Sequence, residues 1–176
     1  PYFTSAGLDC TFVGHPIVES GSGQGDAERF RIKYKIKPET KIIVLLPGSR
    51  MSEITRLMPL FKTTADKLQA QHPDLHIVIP TIPSMRGVIE RSVEDWKTPV
   101  TITETDSDKY DAFAAAHAAL ACSGTVAIEL AMAQLPSVTA YQLNKLTYFL
   151  YRRFIKVDYA NLVNLMHNRE VVPELI

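Results

Sequence analysis

The sequence is poor in cysteine. Only Cys10 and Cys122 occur among its 176 residues, they lie far apart, and neither has the CxxC or Cys/His spacing of a zinc site. The sequence therefore indicates neither a disulfide framework nor a structural zinc site, and it suits a reducing compartment.

The chain also has no excess of charge and no long apolar run. Nineteen Lys and Arg residues balance nineteen Asp and Glu residues, which argues against a nucleic-acid-binding surface. No apolar run reaches the roughly 18 to 20 residues of a membrane-spanning helix, and the first residues do not resemble a signal peptide. The hydrophobic share of 46% is typical of a soluble globular protein. We expect no nucleic acid partner.

The length suits one α/β domain. Because the chain begins at Pro1 without an initiator methionine and ends abruptly at Ile176, we expect it to be a piece of a longer protein. From residue 41 onward, continuous apolar runs alternate with apolar residues at helical spacing. The runs predict strands over residues 41–46, 75–80, 99–104, 118–122 and 136–141. Such repeats are typical of a Rossmann-like, doubly wound parallel sheet.

Residues 1–40 lie outside this repeat. Residues 10–16 predict a short strand that runs into a Gly-His-Pro turn, and residues 19–29 predict a mobile surface loop. The loop leads to a short helix that we expect Pro38 to end. At the other end, an aromatic-rich helix precedes a less regular stretch. His15 is interpreted as a hinge residue or as a turn histidine with a structural hydrogen bond.

Two glycine loops follow strands of the predicted sheet, at the edge where parallel α/β sheets bind ligands. Each combines a glycine that permits close backbone approach with a hydroxyl and the start of a helix, a combination typical of phosphate sites. Neither loop has a Walker A or GxGxxG pattern. Each also has a structural interpretation, as a helix cap with a turn glycine. The loop residues are Gly48, Ser49 and Arg50 after the first strand, and Ser123, Gly124 and Thr125 after the fourth.

Glu129 follows Thr125 by four residues, one turn into the predicted helix. Helical side chains lean toward the helix N-terminus, so its carboxylate could accept hydrogen bonds from the vicinal hydroxyls of a ribose. The alternative is a solvated acid that is stabilised near a helix N-terminus.

Several motifs together resemble one family. FVGHP, LLPGSRMSEI, ACSGTVAIELAMAQLPSVTAY and NLVNLMHNREVVPELI resemble the C-terminal half of lipid-A-disaccharide synthases, which are inverting glycosyltransferases with a GT-B fold. The resemblance implies that residues 1–176 form a UDP-sugar-binding Rossmann-like domain, with residues 1–40 as the interdomain segment and lead-in. It implies transfer of 2,3-diacylglucosamine from UDP to 2,3-diacylglucosamine 1-phosphate in lipid A biosynthesis. The implied location is cytoplasmic, peripheral at the inner membrane of Gram-negative bacteria.

The resemblance also implies roles for the loop residues. Gly48, Ser49 and Arg50 would lie at the donor diphosphate, where Arg50 stabilises the departing UDP without a metal ion or cofactor. Residues 123–125 would hold diphosphate oxygens, and Glu129 would hold the ribose. The other half of the GT-B fold, the acceptor domain with the family's catalytic carboxylate, is absent, so we expect this chain to bind the donor without turnover. Asn161, Asn164 and Glu174 are assigned to the interdomain cleft.

Other interpretations remain open. The chain could belong to another GT-B UDP-GlcNAc transferase or epimerase, or act as a non-catalytic nucleotide-binding module. Asp106 and Asp108 follow the third strand and suggest a helix cap with acids in the first turn more than a general base. Residues 145–156 carry four basic and no acidic residues among aromatics, which favours contact with a membrane surface or with the absent domain.

Overall fold

A computed structural model describes residues 2–11, 13, 15–122, 124–141 and 159–175. In this part of the chain, six strands form one parallel sheet. The strands are β1 (Lys41–Leu46), β2 (Leu75–Pro80), β3 (Val100–Thr103), β4 (Ala118–Ala121), β5 (Ser137–Ala140) and β6 (Glu174–Leu175). The helices are α1 (Tyr2–Ser5), α2 (Ala27–Tyr34), α3 (Met51–Gln71), α4 (Arg86–Val93), α5 (Asp106–Ala115), α6 (Val126–Met132) and α7 (Leu162–His167).

The strand order is β3-β2-β1-β4-β5-β6, the order of a Rossmann fold. Val44 of β1 lies opposite Val78 on one side and Ala119 on the other, so β1 and β4 are central neighbours. The predicted doubly wound parallel sheet is confirmed. Strands β1 and β2 have their predicted bounds, and β3, β4 and β5 are shorter than predicted by one or two residues.

Each face of the sheet carries its own apolar core. Helices α3 and α4 cover one face, where Ile54, Phe61 and Ile89 are fully buried. Helices α2, α5 and α6 cover the other face, where Phe30 and Phe113 pack against the strands. Because both faces are covered, the central strands β1, after Lys41, and β4 are continuous apolar runs.

The short strand predicted ahead of the Gly-His-Pro turn, within residues 10–16, is wrong. Its described N-terminal residues, Cys10, Thr11 and Val13, are exposed and have no assigned strand structure. A strand needs a hydrogen-bonded neighbour and an apolar face to bury, and these residues have neither in the described structure. His15 makes a structural hydrogen bond: its Nδ1 accepts from the Ile17 N–H at 3.2 Å, which begins a 3₁₀ turn.

The segment before α2 is largely a surface loop, as predicted, with one buried residue among those that precede the helix. Ser22 is 1% exposed, and Asp26 caps α2 by accepting the Arg29 N–H at 2.9 Å. Pro38 does not end this helix. Lys35 does so, because it adopts a left-handed conformation with φ 54° and its N–H donates to the last-turn carbonyls.

Strand β6 is an addition to the predicted sheet. Thr139 of β5 pairs with Glu174, and the Thr139 N–H donates to the Pro173 carbonyl at 2.9 Å. This two-residue strand lies in the stretch that the sequence indicates as less regular. The basic aromatic segment over residues 145–156 lies outside the described residues. Among the described helices, none is long and apolar enough to cross a membrane.

Candidate functional site

A cleft of about 470 Å³ lies at the carboxyl edge of the sheet. It lies where the strand order reverses, between β1 and β4. The helices that follow these two strands, α3 and α6, cover opposite faces of the sheet. Such a switch point leaves a crevice between two diverging connections, and ligands of open α/β sheets bind there.

The cleft brings the predicted site residues together. Its described lining includes Gly48, Ser49, Arg50, Gly124, Thr125 and Glu129. Ser123 lies outside the described residues. Residues separated by about 75 positions in the chain thus share one small volume because the ends of β1 and β4 are adjacent.

The first loop requires glycine at position 48. Gly48 has φ +107°, a conformation that side-chain-bearing residues rarely adopt. A β-carbon there would also collide with the Glu53 carboxylate and would lie 3.1 Å from the Cys122 sulfur. The turn is therefore specific to glycine for both backbone and packing reasons.

Glu53 closes this loop with its carboxylate. Its Oε2 accepts the N–H groups of Ser49 and Arg50 at 3.2 and 3.3 Å. Its Oε1 accepts from Arg50 Nη1 at 2.8 Å. These bonds form the capping interaction of α3. An anionic ligand that needs those two amides must displace the Glu53 carboxylate.

The second loop is open. Gly124 has φ +140°, and among the described residues, apart from its chain neighbours, no atom lies within 4 Å of the position that a β-carbon would occupy. Thr125 is exposed and makes no side-chain hydrogen bond that caps α6. The capping interpretation therefore fails for Thr125 in the described structure. A ligand can approach this backbone closely.

Glu129 is held by α5. Its Oε1 accepts from Lys109 Nζ at 3.0 Å and from the Tyr110 hydroxyl at 3.1 Å. The side chain is only 12% exposed, so the interpretation as a solvated acid is wrong. Lys109 also pairs with Asp106 at 2.9 Å. Burial acts to lower the pKa of Lys109, but the hydrogen bonds to Asp106 and Glu129 outweigh burial and raise it.

The two aspartates after β3 have the predicted structural role. The Thr105 hydroxyl caps α5 by accepting the Asp108 N–H at 3.1 Å, and both acids lie in the first turn. Asp108 is buried against Lys33 at 2.6 Å, away from the cleft. Asp106 borders the cleft but is directed to Lys109 by their ion pair.

The predicted placement of Asn161 and Asn164 at a cleft is wrong, because both are fully buried. Glu174 Oε1 accepts from the Asn161 N–H at 3.0 Å and from Asn164 Nδ2 at 2.6 Å. Asn161 also donates to the Thr139 hydroxyl at 2.7 Å. These residues attach α7 and β6 to the sheet.

Sequence reasoning missed three charged residues of the cleft, Glu53, Glu104 and Lys109. A signal exists for Glu53, since it lies three residues after the helix N-cap, where a capping box places Glu or Gln. Lys109 has a weaker signal, one turn into the helix that follows β3. The charged residues of the described lining are two cations, Arg50 and Lys109, and four carboxylates: Glu53, Glu104, Asp106 and Glu129.

The strand order and the switch-point cleft define a Rossmann-like domain with a candidate ligand site. A glycosyl transferase family 9 structure from Veillonella parvula is similar, with a TM-score of 0.54 and 16% identity, over 64% of this chain and 33% of that one. This likeness shows the Rossmann-like α/β fold.

The chain belongs to the lipid-A-disaccharide synthetase family, whose model matches residues 1–176. The lipid-A-disaccharide synthase of Rhodospirillum centenum is 52% identical over 100% of this chain and 44% of its own length. That of Gluconobacter oxydans is 43% identical over 99% of this chain and 42% of its own. The chain thus spans less than half the length of these curated relatives.

Proposed function

We propose that this chain is the donor-binding half of an inverting glycosyltransferase. The enzyme would transfer 2,3-diacylglucosamine from UDP to 2,3-diacylglucosamine 1-phosphate in lipid A biosynthesis. The observation that carries this proposal is the meeting of the Gly48 loop, the Gly124 loop and Glu129 in one cleft, in a chain of this family. An acceptor-side domain, with the base that activates the acceptor, would complete the enzyme.

In this proposal the donor lies across the switch point. Its diphosphate lies along residues 123–125, because the open space at Gly124 admits a phosphate close to the backbone. The exposed Thr125 hydroxyl is available to donate to a phosphate oxygen. The ribose then lies toward Glu129, one turn further along α6.

Arg50 is the proposed catalytic residue. The departing UDP gains negative charge in the transition state, and preorganised donors stabilise such charge without a metal. The Arg50 side chain is 78% exposed. Only its Nη1 is bonded to Glu53 among the described contacts, and a guanidinium has five N–H donors. The remaining donors can therefore reach a diphosphate oxygen.

The charge of the cleft lining indicates that hydrogen bonds, and not a general positive field, would bind the nucleotide. With more carboxylates than cations around the cleft, the general field does not attract an anionic nucleotide. Affinity must come from individual hydrogen bonds at Arg50 and at the two loops.

We also propose that the enzyme acts at the cytoplasmic face of the inner membrane. Residues 145–156 contain Lys145, Arg152, Arg153 and Lys156 among aromatic and apolar residues. Basic aromatic segments of this kind bind anionic lipid surfaces, which would bring the cleft to acylated substrates.

The test is calorimetric titration of the chain with UDP, with ADP and uridine as controls. We expect selective binding of UDP. Arg50→Ala should weaken UDP binding about tenfold and leave uridine binding nearly unchanged. Arg91→Ala, an exposed arginine on α4, is the matched control. Absence of UDP binding, or equal losses for UDP and uridine, would contradict the assignment.

A second experiment measures activity. Restoring the N-terminal half should produce release of UDP from UDP-2,3-diacylglucosamine when the acceptor is present.

A further inference from the structure

Two consecutive residues of α5 hold the same oxygen of Glu129. Lys109 Nζ and the Tyr110 hydroxyl donate to Glu129 Oε1 at 3.0 and 3.1 Å. No described residue makes a hydrogen bond to the other oxygen, Oε2, and Glu129 lines the cleft. The carboxylate is therefore asymmetric, with one oxygen anchored by the protein and one available to a ligand.

Both donors to Glu129 are themselves held by further contacts. Tyr110 is 8% exposed and packs edge-on against Phe113. Lys109 is held by Asp106 at 2.9 Å, and its Nζ lies 4.6 Å from the centre of the Tyr110 ring. These contacts restrict the Lys109 side chain before a ligand binds, so less rotamer freedom is lost on binding. Glu129 thus presents Oε2 in a defined direction.

Glu129 Oε2 has no described hydrogen-bond partner, and a ligand that fills the cleft would displace water from it, so the oxygen would then be costly to leave unpaired. A donor hydroxyl from a ligand in the cleft would complete its hydrogen bonding. A ligand that lacks this hydroxyl would leave the oxygen unpaired, and sites of this kind discriminate strongly against such analogues.

We propose that Lys109 and Tyr110 are positioning residues that make the cleft selective for ribonucleotides over 2′-deoxyribonucleotides. They hold Oε1 so that Oε2 accepts a ribose hydroxyl. The inference rests on the proposed function, since it requires a nucleotide in this cleft. It extends that function by assigning selectivity to residues of α5 that do not touch the ribose themselves.

Two other roles for Lys109 and Tyr110 predict different effects on the binding of UDP and 2′-deoxy-UDP. If Lys109 bound the diphosphate directly, its removal would weaken UDP and 2′-deoxy-UDP equally. If Tyr110 served only to fill the core, loss of its hydroxyl would leave the preference for ribose unchanged.

The experiment measures the dissociation constants of UDP and 2′-deoxy-UDP for the 176-residue chain and takes their ratio. We expect the wild-type chain to prefer UDP by about tenfold or more, and Glu129→Gln to reduce this preference strongly. Tyr110→Phe and Lys109→Met should each reduce the preference by about fivefold while UDP still binds.

Two matched variants serve as controls. Tyr34→Phe alters a tyrosine on α2 whose ring packs on Phe30. Lys62→Met alters a partly buried lysine on α3 that pairs with Asp66 at 3.2 Å. Neither residue lines the cleft, so both variants should keep the wild-type preference.

Each outcome is decisive. An unchanged ratio in Tyr110→Phe and Lys109→Met would overturn the inference, as would a wild-type ratio near one. Absence of UDP binding by the wild-type chain would instead contradict the proposed function. If Lys109→Met does not fold, Tyr110→Phe decides alone, because it removes a single hydroxyl. Circular dichroism melting curves identify variants that have lost the fold.

Discussion

The Glu53 carboxylate lies against Gly48, in the space that a β-carbon at position 48 would need. The same carboxylate accepts the N–H groups of the two residues that follow this glycine. The conformation of the loop and the cap of α3 are thus one structural unit. A substitution of either Gly48 or Glu53 should therefore alter both the loop conformation and the cap.

Substitution of Gly48 should therefore damage both stability and binding. Gly48→Ala introduces a β-carbon at φ +107° and against Glu53, and we expect a loss of about 1 to 3 kcal/mol in the free energy of unfolding. UDP binding should weaken as the loop shifts. Urea titration and calorimetry measure the two effects.

Gly87→Ala is the control for that substitution. Gly87 lies in the first turn of α4 without a positive φ, and beyond its own helix backbone the one described atom within 4 Å of its β-carbon position is Arg91 Nη1. Alanine is favoured over glycine by roughly 0.5 to 1 kcal/mol in a helix interior and by less in a first turn, so this variant should be equally or slightly more stable. Equal stability of Gly48→Ala and wild type would show that the loop relaxes without strain.

Loss of charge at Glu53 should strengthen binding of UDP. The carboxylate competes with a phosphate for Arg50 and for two backbone amides, and it repels an anion nearby. Glu53→Gln keeps the shape and one accepting oxygen, so we expect UDP to bind about fivefold more tightly and uridine to bind as before. The measurement is calorimetry at low and high salt, where the gain should shrink with added salt.

Weaker binding of UDP by Glu53→Gln would reverse that interpretation. It would mean that the ionised carboxylate is needed to hold the loop in its binding conformation. Glu53→Ala separates the two effects, because it removes the cap as well as the charge and should lower stability by about 1 kcal/mol.

The strands that could be predicted from the sequence are those with a clear local pattern of apolar residues. Strands β1 and β2 are continuous apolar runs with clear ends, and their predicted bounds hold. Strand β6 has only two residues, Glu174 and Leu175. It forms because β5 offers an edge and because Glu174 binds the two buried asparagines, which no local pattern reveals.

The candidate site divides in the same way. Gly48 and Gly124 follow strands in the sequence, so the topology alone places both loops at one edge. The contact of Lys109 with Glu129 joins helices that follow different strands. Such a contact depends on how α5 and α6 are rotated about their axes. That rotation is set by packing against the sheet, and the sequence of neither helix alone determines it.

The ion pair between Arg29 and Asp111 should make stability depend on pH. Asp111 is 4% exposed and accepts from Arg29 Nε at 2.6 Å and from the Asp26 N–H at 2.7 Å. The hydrogen bond from Arg29 is the main cause that lowers the Asp111 pKa in the folded protein, against the opposing effect of burial.

A carboxyl whose pKa is depressed on folding stabilises the protein above its unfolded pKa, about 3.9 for aspartate. That contribution is lost as the pH falls through the lower folded value. Asp111→Asn should therefore melt at a lower temperature than wild type at pH 7, and the difference should narrow below about pH 4. Thermal melts across this range measure it. A difference that is constant with pH would show that lost packing, not the charge, is responsible.

Cys122 offers a chemical report on the cleft. It lines the cleft beside Gly48. Burial, followed by the nearby Glu53 charge, raises the pKa of its thiol to about 11. Since the thiolate is the reactive form, Cys122 should be alkylated slowly at pH 8 and much faster as the pH approaches 11. Mass spectrometry of a Cys10→Ser variant follows this residue alone.

Bound UDP should slow the alkylation of Cys122 further by covering the cleft. Uridine at equal occupancy should protect less, because the sulfur borders the loop assigned to the diphosphate. Rapid alkylation at pH 8 would contradict a buried thiol close to the Glu53 carboxylate. Equal protection by UDP and uridine would mean that the diphosphate does not bind at the Gly48 loop.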